Sequence, residues 1–302
     1  MTVRSPSTPP KNAPHRYNKL PWLDYAGRFS PLKSAVFVAL FLPLSLIAYR
    51  YGHDELGARP LNEAIHQVGN WTIKLIFLSL AVTPARRILQ WPRLILVRRM
   101  IGVGAFAYAA THLTLYMADQ AFDLLKVASE IVLRIYLTIG FSALLILTAM
   151  AATSTDAMVR RLGGRRWRRL HQLIYVGALL AVVHFFIQTK AAVDEPWVMA
   201  GLYAWLMGYR LLAWAYGSDS RVPLWSIGLL SLGSGVLTAL GESVYYWIKL
   251  GVDPSLVLAA NLTATAGIRP APIVLSITLG VIGIGALRTW QSRRSKLRLR
   301  PT

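Results

Sequence analysis

Eight apolar runs follow one another along this chain, and the loops between them alternate in charge. The runs cover residues 33–49, 65–83, 100–117, 131–151, 170–188, 197–216, 222–240 and 272–287. A helix needs about 20 mostly apolar residues to cross a hydrocarbon core about 30 Å thick. No water is present there to satisfy the backbone, so only helices and closed barrels can span it. Runs of this length predict helices, and the chain reads as an all-α, polytopic helical membrane bundle. Its composition agrees. Of 302 residues, 55% are hydrophobic and only 15% are charged, against about 25% charged in soluble domains. The second run is the most interrupted: Lys74 lies within it and Pro84 is expected to close it.

The loops set the orientation. The N-terminal tail is basic, the second loop carries Arg86, Arg87, Arg93, Arg98 and Arg99, and the third is acidic, with Asp119, Asp123 and Glu130. The fourth holds Arg160, Arg161, Arg165, Arg166, Arg168 and Arg169, and the C-terminal tail is basic again. Lys and Arg mark the cytoplasmic side, so both termini and every even-numbered loop are expected inside. The formal net charge of +20 is thereby explained by topology and not by nucleic acid. Residues 1–32 read as a disordered basic tail that meets the membrane surface around Trp22 and Tyr25, with no cleavable signal peptide. With no cysteine in the chain, disulfides, thiolate-held metals and covalently attached haem are excluded.

Orientation gives the histidines their depth. His171 and His184, thirteen residues apart on the fifth run, lie about 20 Å apart along a helix, near the inner and outer faces. His112 lies near the end of the third run and shares the outer level with His184. His66, at the start of the second, is also on the outer side, while His53 falls in an outer loop and His15 in the tail. Uncharged imidazole is the commonest metal ligand, and a facing pair from neighbouring helices holds a b-type haem. The plainer alternative is that each ring is a polar group hydrogen-bonded inside the bundle. Geometry adds a difficulty: at about 100° per residue, His184 points about 140° away from His171. Either the helix is distorted, or two cofactors sit on different sides of it. Arg98, fourteen residues before His112, is placed as a ligand or propionate partner for an inner haem, or is an ordinary inner arginine beside Arg99. The inner arginines are the cations expected to meet haem propionates.

The stretch RRMIGVGAFAYAATHLTLY, followed by TSTDAMVRRLGGRRWRRLHQLIYVGALLAVVHFF, resembles the MsrQ (YedZ) family. AVTPARR and AIHQVGNWTIK fit the same pattern. These are haem-binding membrane subunits of the bacterial periplasmic methionine sulfoxide reductase system, within the ferric-reductase-like transmembrane group. The resemblance covers residues 33–216, six of the eight runs. It implies a six-span haem-binding domain over 33–216, followed by two additional spans and a basic tail over 217–302. It further implies a bacterial inner-membrane electron-transfer subunit that is not itself the enzyme. Electrons would come from a cytoplasmic flavin reductase or the quinone pool and pass through one or two b haems to a periplasmic molybdopterin-containing catalytic subunit. FMN is also attributed to the family. On this resemblance His112 and His184 are the axial pair of an outer haem, His171 ligates an inner one, and Arg98 lies beside it. His66 matches a family histidine with no assigned task.

GVGAFA, Gly102 to Ala107, fits a dinucleotide fingerprint in letters only. It sits inside a span, where glycines serve close helix packing. The chain has no nucleotide-binding domain with which to oxidise NAD(P)H. A free-standing transmembrane metal or quinone reductase is the main alternative function, and a transporter with proton-relaying histidines is a third.

Overall fold

The computed structural model describes residues 20–23, 27–189, 193–263 and 267–298. Residues 1–19, with His15, lie outside them, as do Tyr25 and Lys190. Twelve α-helices make up nearly all of the described chain: α1 Pro31–Gly52, α2 Pro60–Ile88, α3 Ile95–Asp119, α4 Leu124–Leu133, α5 Ile135–Ala152, α6 Asp156–Leu162, α7 Gly164–His171, α8 Ile174–Gln188, α9 Asp194–Ala215, α10 Leu224–Leu250, α11 Pro254–Leu262 and α12 Pro270–Arg298. Leu23 and Phe29 form an isolated antiparallel bridge ahead of α1. The end of the expected tail is therefore ordered, with Trp22 set edge-on to Phe37.

Seven stretches are long and apolar enough to cross a membrane. The sixth expected span, α9, is the exception. It has 22 residues, ample length, but Asp194, Glu195 and Arg210 lower its apolar character. Its burial explains the tolerance: Val198, Met199, Trp205, Leu206 and Tyr209 face protein, so this helix does not have to be apolar all round.

Two other expectations need correction, and one alternative left open by the sequence is decided. The fourth run breaks at Arg134, whose extended backbone separates α4 from α5. α4 has 10 residues, about 15 Å, too short to cross. Its Leu124, Leu125, Val132 and Leu133 are exposed along an amphipathic surface helix. Second, the helix bearing His171 and His184 is distorted at Gln172–Leu173, where Leu173 N–H donates to Leu170 O and Tyr175 N–H to Gln172 O, three residues back. This 3₁₀-like tightening is one of the two outcomes the His171–His184 misalignment requires. Third, Pro84 does not close the second span.

α2 runs through Pro84 to Ile88. Proline has no N–H to give the carbonyl four residues back, normally a loss of several kcal/mol. Here Arg210 of α9 takes the place of that donor, its Nη2 lying 3.0 Å from Leu80 O. α1 also takes a side chain into its ladder. Beside Pro43, the Tyr108 hydroxyl bridges the next pair, donating to Leu40 O at 2.7 Å and accepting from Leu44 N at 3.1 Å. In both helices a neighbour's side chain bonds to the backbone around the proline.

The helices assemble as two antiparallel pairs, α2 with α3 and α5 with α8, joined by contact of α3 with α5. α1 lies across α2 and α3. The glycines of GVGAFA serve packing: Gly102 faces Ser79 of α2, and Gly104 lies against Leu40 of α1. α9 stands between this core and α10–α12. Its Gly201 leaves room for Thr238 and Val274, while Gly241 of α10 leaves room for Trp197 of α9. Arg87 ties the end of α2 to the α9–α10 connection, donating to Asp219 O, Ser220 O and Val222 O. The end of the bundle where α2 and α5 begin is here termed distal; the end carrying α6 and α7, with six exposed arginines, is the basic end.

Candidate metal centre

α2, α3, α5 and α8 enclose a cleft of about 1210 Å³, its open side included. Its inner lining is apolar, with Ile73, Ile76, Ala109, Leu144, Leu147 and Ala181. Toward the distal end it becomes polar, with His66, Asn70, Tyr116, Tyr136, Gln188 and Thr189. Both half-buried imidazoles of the shared outer level line this cleft, His112 from α3 and His184 from α8. Their ring centroids are 6.3 Å apart and their planes are 84° to each other. Two imidazoles bonded to one ion at roughly 2 Å each would have centroids about 6 Å apart.

The two rings are mounted alike. His112 Nδ1 lies 2.8 Å from Ile65 O, 47 residues back on α2, and His184 Nδ1 lies 2.8 Å from Tyr136 O, 48 residues back on α5. A carbonyl can only accept, so each Nδ1 carries the proton and each Nε2 presents a lone pair. Metal-bound histidines are oriented in just this manner, by a backbone carbonyl on the other ring nitrogen.

One turn beyond each carbonyl stands a glycine. A Cβ on Gly69 would lie 3.1 Å from the His112 ring, and one on Gly140 only 2.8 Å from His184. Glycine is a poor helix former, and here its missing side chain is the space that the imidazole fills. The sequence reading passed over both glycines and both carbonyl positions. The signal was present, in Ile65 and Gly69 and again in Tyr136 and Gly140 at the same i, i+4 spacing, each pair on the helix that packs against a ligand-bearing one.

The remaining candidates stand elsewhere. His66 is exposed on α2 and lines the distal side of the same cleft, within electrostatic reach of His112 and His184. His171 lies at the basic end, outside the cleft lining, stacked on Trp167 at 3.9 Å. Its Nε2 is 3.2 Å from Thr153 Oγ1. That hydroxyl already gives its proton to Ala149 O, so the imidazole donates to it. Arg98 and Arg99 face His171 electrostatically, and Arg98 is half-buried near Tyr175, Arg210 and Arg86. No second imidazole among the described residues is brought opposite His171.

The donor set restricts what the cleft can hold. Among the described residues no group of three or more His, Cys, Asp or Glu gathers to hold a metal ion. Two facing imidazoles in an apolar cleft suit an ion whose other four positions are filled by a planar macrocycle, and haem fits the residues present.

Comparison with known proteins gives the chain a family. Residues 68–182 match the family described as ferric reductase like transmembrane component. That segment holds Gly69, His112, Gly140 and His171. The chain is 43% identical over 179 residues to a Rhodospirillum rubrum protein named protein-methionine-sulfoxide reductase heme-binding subunit MsrQ, covering 59% of this chain and 86% of that one. A protein of the same name from Herminiimonas arsenicoxydans is 38% identical over 193 residues, covering 63% and 88%. The Caulobacter vibrioides counterpart is 38% identical over 177 residues, covering 58% and 84%. No solved structure matches the chain.

Proposed function

Because the chain belongs to the MsrQ family, whose relatives are named haem-binding subunits of protein-methionine-sulfoxide reductase, we propose that it is a transmembrane electron-transfer subunit holding b-type haem between His112 and His184. The observation that carries this reading is the matched mounting of the two rings. Each has its Nδ1 proton committed to a backbone carbonyl, its face seated on a glycine, and its Nε2 left to bind metal. When bound, haem supplies a one-electron carrier.

The protein's own part is to place that carrier and keep water from it. Ile73, Ile76, Leu144 and Leu147 line the inner cleft, excluding water and lowering the local dielectric. The carbonyls of Ile65 and Tyr136 fix both ring orientations, so little rearrangement accompanies a change of charge at the centre. The charge asymmetry of the loops supports a bacterial inner-membrane location, with both termini and the basic end cytoplasmic. The distal end, closest to the histidine pair, then faces the periplasm and the molybdopterin-containing catalytic subunit that reduces methionine sulfoxide. A flavin reductase or the quinone pool donates at the basic end. The arginines of α6 and α7 suit the phosphate of FMN there, by charge alone. On this reading sulfoxide chemistry belongs to the partner, and this chain only relays. His171 and Arg98 mark the position for an inner haem near the donor, supported by the resemblance and by their shared location at the basic end.

The test is an absorption spectrum of the detergent-purified protein from haem-replete cells, oxidised and dithionite-reduced, with a pyridine haemochrome count. A low-spin b-type spectrum is expected. A colourless protein would overturn the reading and leave the histidines as proton-relaying or structural groups.

A further inference from the structure

A haem of the b type carries two carboxylates on one edge of its ring. Inside a membrane, an ionised carboxylate without a partner is strongly disfavoured. The lining of the cleft therefore decides which way that edge can face. Toward the basic end lie apolar side chains, among them Ile73, Ile76, Ala109, Leu144 and Leu147, and Thr72, whose hydroxyl donates to Val68 O. Among the described residues no arginine or lysine lines the cleft, so the inner arginines expected from sequence to meet the propionates are not part of this lining. At the distal end the lining offers an imidazole and two carboxamides, His66 and Asn70 on α2 and Gln188 on α8, besides the hydroxyls of Tyr116, Tyr136 and Thr189, which are engaged with Glu130, Arg134 and Phe185 O. His66 is exposed, and apart from the ligand pair it is the only imidazole among the described lining residues.

From His66 to Ile76 the α2 wall rises about 15 Å, enough for a macrocycle with its apolar edge inward and its acidic edge at the polar rim. Asn70 is tied to α9, with its Nδ2 3.0 Å from Glu195 Oε2. Glu195 in turn accepts from Lys74 Nζ at 3.3 Å. This anchors the α2 rim in place and leaves His66, one turn above Asn70, as its imidazole donor.

We propose that the carboxylate edge of the haem faces the distal end of the cleft and is held there by His66, with Gln188 on the opposite wall. This rests on the proposed haem site and assigns a task to a histidine that is not a ligand. It also sets the macrocycle's polar edge on the side where the catalytic partner would dock.

The experiment compares two probes on full-length protein stripped of cofactor in detergent: iron protoporphyrin IX and its dimethyl ester, in which both carboxylates are masked. Wild type and the His66→Ala and His66→Gln variants are titrated with each, and binding is read from the Soret band. Wild type should bind the ester at least about tenfold more weakly than the free acid, as expected for a lost charge-assisted hydrogen bond. His66→Ala should weaken the free acid by a similar factor and leave the ester unchanged, and His66→Gln, which keeps a donor, should recover part of the difference. Equal weakening of both probes by His66→Ala would assign His66 a purely structural role and overturn the proposal. So would an unchanged affinity for the free acid. If wild type binds neither probe, it is the haem reading itself that fails.

Discussion

Gly140 and His184 form the tightest fit in the cleft: a Cβ on the glycine would lie 2.8 Å from the imidazole, closer than side-chain carbons are found to packed neighbours. Gly140→Ala should therefore push the ring away from Tyr136 O and misplace Nε2. The expected outcome is about tenfold or more weaker haem retention, the usual cost of disturbing a metal ligand's supporting contacts. Gly69→Ala, at 3.1 Å from His112, should have the same effect in smaller degree. In a helix interior, alanine is more favourable than glycine by about 1 kcal/mol. Neither variant should lose helicity, so circular dichroism beside a haemochrome count separates a damaged site from an unfolded protein.

Removing either imidazole tests the pair directly. His112→Ala and His184→Ala should each abolish the low-spin spectrum of the distal haem, because the two rings face one site and the remaining imidazole, His66, stands at its distal rim. His171→Ala should leave that spectrum intact. Where wild type holds two haems per chain, His171→Ala is expected to hold one. A wild-type count of one, unchanged by His171→Ala, would remove His171 and Arg98 from the ligand set.

Much of this architecture was legible in sequence because it rests on patterns that need no tertiary information. Apolar runs show spans, loop charge shows alternation, and histidine depth follows from helical rise. What escaped was whatever depends on a neighbour. Pro84 looked like a terminator because nothing local shows that Arg210, far along the chain, will donate to Leu80 O. The inner arginines looked like propionate partners because their distance from the cleft is a matter of packing. The carbonyl mounts of His112 and His184 were equally hidden, since every residue has a carbonyl and only the fold selects Ile65 and Tyr136.

The proline repair makes its own prediction. Arg210→Met removes the donor to Leu80 O while keeping a long apolar side chain, and should destabilise the protein by about 1–3 kcal/mol, the cost of a buried acceptor left unpaired. Pro84→Ala restores the backbone N–H that the carbonyl lacks. In the Pro84→Ala background the same arginine substitution should then cost measurably less. Unfolding midpoints in mixed micelles would give the double-mutant cycle, and additive effects would show that Arg210 acts elsewhere.

Tyr108 offers the matching case in α1. Tyr108→Phe keeps the ring but removes the hydroxyl that bridges Leu44 N and Leu40 O. A loss of about 1–2 kcal/mol is expected from the two contacts. Because Tyr108 is on α3, four residues before His112, a shift of haem midpoint potential in this variant would reveal that α1 also helps to position the ligand helix.

Glu242 makes the last prediction, because it ties the C-terminal helices together without touching the cleft. Its side chain is fully buried in α10 and pairs with Arg269, and its Oε2 accepts from Asn261 Nδ2 at 2.8 Å. Arg269 also reaches Asp194 at the start of α9, 3.5 Å away, so the cluster joins α9, α10 and α11 to the segment entering α12. Replacing Arg269 by Met leaves the carboxylate buried without its counter-ion, a change that typically costs about 3–5 kcal/mol. Replacing both, as Glu242→Gln with Arg269→Met, removes the charge as well and should cost less than the single change. Haem content should stay at the wild-type level throughout, since His112, His184, Gly69 and Gly140 all lie on α2, α3, α5 and α8. If Arg269→Met instead strips the haem along with the C-terminal packing, residues 33–216 do not form a self-sufficient haem domain, and α10–α12 are part of what holds the site together.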